Sequence, residues 1–67
     1  MNTITHNPSS IAERANFIDI LSDEFTGKKG FGVYAFLSVN DIENLYRHFL
    51  GKHMPARDFS RAFVRNF

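Results

Sequence analysis

The 67-residue sequence contains no cysteine and no tryptophan, and only two prolines and four glycines. The absence of cysteine excludes disulfide bonds and thiolate metal sites as sources of stability. No hydrophobic run approaches the roughly 20 residues of a membrane-spanning helix, and the N-terminus lacks the basic start and apolar core of a signal peptide. We therefore expect an intracellular, cytoplasmic protein with no membrane partner.

Charge and size limit the classes of function further. The formal net charge is only +1, which argues against indiscriminate attraction to a polyanion. Residues 28–67 still carry seven Lys or Arg residues against three carboxylates, so a basic surface is expected in that part of the chain. We expect one small domain, residues 1–67, with little room for a water-excluding pocket. Such a domain should be neither an enzyme nor a cofactor carrier.

Phenylalanine is the residue that the sequence has in abundance, with eight copies. In so small a domain, core burial barely exceeds the conformational entropy lost on folding. Stability should therefore depend on these rings, or on a protein partner or a second copy of the chain. His48 and His53 have no evident third ligand beside them, so we expect no metal site.

The clearest secondary-structure element is a helix at residues 40–50. Ser38 or Asn40 can cap its start, and Gly51 suits its C-terminal cap. Apolar side chains recur at helical spacing through this segment. They are Ile42, Leu45, Tyr46, Phe49 and Leu50.

Residues 10–25 fit two different structures. Ser10 and Glu13 have the spacing of a capping box, and an apolar stripe follows them, which indicates one long amphipathic helix. The stripe consists of Ile11, Ala15, Ile18, Leu21 and Phe25. Residues 17–21, however, are rich in strand-forming residues and precede a polar loop at residues 23–28. The pattern alone leaves both structures open.

Arginine and phenylalanine alternate strictly near the end of the sequence. The alternating residues are Arg57, Phe59, Arg61, Phe63, Arg65 and Phe67. In a strand all six would share one face and form an aromatic, basic surface. In a helix the rings would form one stripe and the arginines another, roughly opposite. Pro55 and Asp58 suit the first turn of such a helix.

Residues 29–36, Lys-Gly-Phe-Gly-Val-Tyr-Ala-Phe, closely resemble the octapeptide on the third strand of the RNA recognition motif, or RRM. Five constrained positions match, and Val33 and Tyr34 depart from the pattern. Residues 23–28 are similar to the Asp-x-x-Thr-Gly-Lys loop that often precedes this octapeptide. The helix at 40–50 then follows in the order of an RRM, and the resemblance covers about residues 17–63.

The resemblance implies an α+β fold, a ferredoxin-like βαββαβ sandwich with a shortened first helix and a shortened first strand at residues 2–7. Its exposed sheet face would bind single-stranded RNA by stacking bases on aromatic rings and pairing Lys and Arg with phosphates. Val33 stands where RRM domains normally have an aromatic ring that stacks a second base. The site residues implied are Lys29, Phe31, Val33, Phe59, Arg61, Phe63 and Arg65.

The alternative is an all-α protein with three helices, near residues 10–25, 40–50 and 56–67. Such a protein would act by binding another protein and no nucleic acid. Its function would be that of a small regulatory protein, an inhibitor or an adaptor. The two folds differ mainly in whether the segments on either side of the helix at 40–50 are strands or helices.

Overall fold

The computed structural model describes the backbone of residues 8–67 and the side chains from residue 11 onward. It contains three α-helices, α1 (Pro8–Lys29), α2 (Val39–Leu50) and α3 (Ala56–Arg65), and a short 3-10 helix at Val33–Ala35. Residues 8–67 form no β-strand. The ferredoxin-like fold and the assignment to the RRM family are therefore wrong, because both require a sheet. The three-helix alternative is the fold observed.

Two features of the sequence lie outside the described residues. The first strand, expected at residues 2–7, precedes the described backbone, and the side chain of Ser10, half of the expected capping box, precedes the described side chains.

α1 passes through both the expected second strand and the polar loop that was expected after it. Phe17, Leu21 and Phe25 recur at a spacing of four, and all three side chains are completely buried. On a helix this spacing places them on one face, which packs against the rest of the domain. Gly27 lies inside the helix, where a glycine costs only about 1 kcal/mol relative to alanine.

The helix ends instead at Gly30, the second residue of the RRM-like octapeptide. Gly30 has a positive φ of 87°, and its N–H donates to the carbonyl of Thr26 at 3.0 Å. This is the left-handed glycine cap that commonly terminates helices. Beyond it the chain folds back, and Val33 is buried while its N–H donates to Ser22 Oγ at 3.1 Å. The octapeptide is thus a helix end and a return loop.

α2 and α3 form the second and third sides of the domain. The helix expected at residues 40–50 is present and starts one residue earlier, with a capping box between Ser38 and Asp41. α3 begins directly after Pro55 and includes Asp58 in its first turn. Five residues connect the two helices, which makes them a helical hairpin.

Phenylalanine rings form two clusters in the core. Phe17 is the centre of the first, with ring centroids 4.8 Å from Phe49 and 5.9 Å from Phe59. Phe25 is the centre of the second, 4.9 Å from Phe36 and 6.2 Å from Phe63. The clusters lie two helical turns apart on α1. Each of them joins α1 to α3. In a chain without cysteine, these ring contacts hold the helices together where other small domains use disulfide bonds.

Candidate functional site

An open groove of about 580 Å³ lies between α2 and α3. Its walls come from positions at helical spacing on both helices and from the connection between them. No residue of α1 whose side chain is described, from Ile11 onward, lines it. The lining residues are Leu45, His48, Lys52, Met54, Phe59, Ala62, Phe63, Asn66 and Phe67.

A smaller hollow of about 360 Å³ continues the groove toward the start of α2. It shares Leu45, His48 and Phe63 with the larger hollow and reaches Leu37 and Asp41 at its far end. The combined groove therefore follows the whole of α2, whose 12 residues span about 18 Å. That length corresponds to about three turns of a helix lying in it.

The groove is apolar because some core side chains are covered on one face only. Leu45, Phe59 and Phe63 are half-buried and pack against the core, and their remaining surface faces the groove. Phe67 stays 52% exposed, although its ring lies 5.2 Å from Phe25 in an edge-on arrangement. Packing on the core fixes these rings, so the apolar surface is formed before any partner binds.

The ionisable groups of the larger hollow are His48 and Lys52. Neither forms an ion pair with any described residue. Asp41, at the far end of the smaller hollow, already accepts the N–H of Ser38 at 3.1 Å. This backbone hydrogen bond, together with the Ser38 hydroxyl, holds the pKa of Asp41 below its usual range. Asp41 also lies in the first turn of α2, where the helix dipole stabilises its charge.

Other carboxylates are paired with arginines away from the groove. Arg57 donates to Asp23 at 2.8 Å and to Glu24 at 2.9 Å. Arg14 donates to Glu43 through its Nε at 3.0 Å, and this hydrogen bond lowers the pKa of Glu43. These pairs tie α3 and α2 to α1, and they leave Lys52 in the larger hollow without an ion-pair partner among the described residues.

The structure separates the three site residues that the RRM-like octapeptide supplied. Lys29 is exposed in the last turn of α1, and Phe31 is 65% exposed in the loop that follows. Val33 is completely buried in the core. These positions therefore do not share an exposed face.

The four site residues of the C-terminal segment belong to α3. Phe59 and Phe63 pack against the core and line the groove. Arg61 lies on a different side of the helix, with its Nε 3.7 Å from Glu24 of α1, and Arg65 is exposed. The prediction that these rings and cations share one exposed face is wrong, because it required a strand. Binding of RNA by these residues stays a prediction.

Sequence reasoning missed much of the groove. Leu45 and Phe67 were recognised only as members of residue patterns, and Lys52 only as one of the basic residues of positions 28–67. Met54 carried no signal at all. The Phe59, Phe63, Phe67 stripe was visible in the sequence, but its partial exposure depends on how α2 and α3 pack.

Comparisons of the chain with protein-family models, with curated proteins and with solved structures found no match. No helix among residues 8–67 is both long enough and apolar enough to cross a membrane. The same part of the chain holds no group of three or more His, Asp or Glu side chains arranged to bind a metal ion.

Proposed function

We propose that the chain is a protein-binding module without enzymatic activity, an inhibitor or adaptor that docks its partner in the groove between α2 and α3. The observation that supports this most strongly is the open apolar groove, with Leu45, Phe59 and Phe63 covered on their core side only. Concave surfaces lined mainly by apolar side chains, with a few polar groups at their edges, are the usual form of binding sites in proteins. A groove between two helices also suits an incoming helix.

The arrangement of rings and cations favours a protein partner over single-stranded RNA. Base stacking requires exposed ring faces with cations beside them. On α3, Phe59 and Phe63 lie against the core and the groove, while Arg57 and Arg61 point toward the carboxylates of α1. The arginines nearest the rings are thus partly neutralised by the protein itself.

Paired variants test whether the groove binds a partner. Met54 lines the groove and is half-buried, whereas Leu50 is 54% exposed on α2 and lines neither hollow. We would enrich partners from the source cells with the wild-type chain, Met54→Ser and Leu50→Ser, and then measure the dissociation constant of each purified partner by calorimetry. Full burial of an exposed methionine contributes about 1.5–3 kcal/mol. Because Met54 is already half-buried, binding can add about half of this, so Met54→Ser should weaken binding by about 3- to 10-fold.

Leu50→Ser is the matched control, because it removes a similar apolar side chain without touching the groove. Its affinity should stay within about twofold of the wild type, since an exposed side chain outside the interface contributes little to binding. Circular dichroism must first show that both variants keep their helices. If both variants weaken partner binding equally, or if neither variant weakens it, the groove is not the docking surface.

A further inference from the structure

We infer that the groove binds an acidic amphipathic helix of about three turns. This inference rests on the proposed function and specifies its partner. It depends on the shape of the groove, on the spacing of its apolar walls and on the sign of its unpaired charges.

The shape of the groove determines the kind of segment that fits. α2 and α3 are joined by five residues, and their rings meet near this connection, where Phe49 and Phe59 lie 5.4 Å apart. Farther along, the two helices leave space between Leu45 and Phe63, both of which line the larger and the smaller hollow. A third helix can lie in this space and present apolar side chains every three or four residues.

The charges determine which helix fits best. His48 and Lys52 lie on the α2 side of the larger hollow, and no Asp or Glu side chain from residue 11 onward lines it. Asp41 keeps its negative charge, which the Ser38 N–H stabilises, but it lines only the smaller hollow, at the other end of the groove from Lys52. A docked helix with Glu or Asp beside its apolar stripe would place these carboxylates near Lys52 and His48. A helix with Lys at those positions would be repelled.

Three synthetic peptides of about 14 residues, long enough for the three-turn span, provide the test. All carry the same leucine stripe at i, i+3, i+4 and i+7, and their flanking positions hold Glu, Gln or Lys. Affinities would be measured by fluorescence anisotropy at low and high salt. The exposed charge of Lys52 attracts Glu and repels Lys, so the Glu peptide should bind more tightly than the Lys peptide by about threefold or more at low salt, and the difference should shrink in high salt.

Variants then separate the inference from the proposed function. Lys52→Glu should reduce the preference for the Glu peptide, while Lys28→Glu, the same charge change on exposed α1 surface, should leave it unchanged. Met54→Ser should weaken all three peptides, since it removes apolar contact that does not depend on charge. A Lys peptide that binds equally well, still in a Met54-dependent way, would overturn the inference and keep the proposed function.

Three other results would overturn more than the charge preference. If no peptide binds in a Met54-dependent way, both the inference and the proposed function fail. If a single-stranded oligoribonucleotide binds more tightly than the Glu peptide and loses affinity with Lys52→Glu, the groove binds nucleic acid. If sedimentation shows self-association that Met54→Ser abolishes, a second copy of the chain occupies the groove.

Discussion

The hydroxyl group of Ser22, on α1, forms a hydrogen bond to the return loop. We expect that removing it changes Gly32→Ala from a destabilising substitution to a stabilising one. Ser22 Oγ accepts the N–H of Val33 at 3.1 Å. In Ser22→Ala this amide, which belongs to a completely buried residue, loses its acceptor. An unsatisfied buried donor costs about 1–3 kcal/mol, and the better helix propensity of alanine offsets about 0.5 kcal/mol of it.

Gly32 approaches the same hydroxyl group. A Cβ atom added there would lie 2.7 Å from Ser22 Oγ, and the next atom, Thr26 Oγ1, would be 3.9 Å away. The φ and ψ angles of Gly32, −70° and 176°, are open to any residue, so Gly32→Ala adds no backbone strain. In the wild-type chain the substitution must displace the Ser22 hydroxyl group, and we expect it to destabilise the fold by about 1–2 kcal/mol.

In the Ser22→Ala background the colliding atom is absent. Gly32→Ala should then stabilise the protein by about 0.4–1 kcal/mol, because alanine restricts the unfolded chain. Thermal unfolding of the four proteins, followed by circular dichroism at 222 nm, measures the cycle, with about 4–8 °C expected per kcal/mol for a domain of this size. Equal destabilisation by Gly32→Ala in both backgrounds would refute the contact between this loop and α1.

Other predictions concern helix ends and one buried hydroxyl group. Gly27→Ala should stabilise α1 by about 1 kcal/mol, because the added Cβ meets nothing within 4 Å and alanine has the better helix propensity. Gly30→Ala should destabilise the helix end by about 1–2 kcal/mol, because the φ angle of Gly30 is positive. Ser60→Ala should raise the melting temperature, since the Ser60 hydroxyl group is buried and has no hydrogen-bond partner among the described residues; a lower value would contradict that assignment. The lowered pKa of Asp41 predicts stability that is present at neutral pH and lost as pH falls below about 4. Ser38→Ala should cost about 1 kcal/mol at neutral pH and reduce this acid-dependent loss, as melting curves at several pH values would show.

Spacing explains which helices could be predicted from the sequence. α2 contains pairs three residues apart, such as Ile42 and Leu45, together with pairs four apart. Only the helical period places both kinds of pair on one face. That segment was therefore predicted correctly to within one residue.

The buried residues of α1 and the phenylalanines near the end of the sequence have a different spacing. Phe17, Leu21 and Phe25 are each four residues apart, as are Phe59, Phe63 and Phe67. A spacing of four fits the helical period and is also a multiple of the strand period of two, so these residues share a face in either structure. The family resemblance then favoured the strand, which was wrong.

Glycine caused the other error. Gly27 and Gly30 both lie in the segment that resembles the RRM loop and octapeptide. A glycine serves equally well inside a turn before a strand and at the end of a helix, because both require backbone conformations that other residues avoid. The structure shows that Gly30 is a helix cap through its positive φ and the hydrogen bond from its N–H to the Thr26 carbonyl.

The candidate groove could be predicted only in part. The α3 stripe indicated an apolar face, but a stripe of this kind is usually covered completely by the rest of a domain. In this protein α1 covers one side of Phe59 and Phe63, and the connection between α2 and α3 leaves the other side open. That incomplete coverage is a property of the tertiary packing.

The most direct test of the docking groove is the footprint of the Glu-flanked peptide on the isotopically labelled chain, measured by nuclear magnetic resonance. Amide shifts should change at Leu45, His48, Met54 and Phe63 and saturate together as peptide is added. Changes centred instead on the exposed Phe31 and Tyr34, or no changes when the peptide is in large excess, would contradict the account.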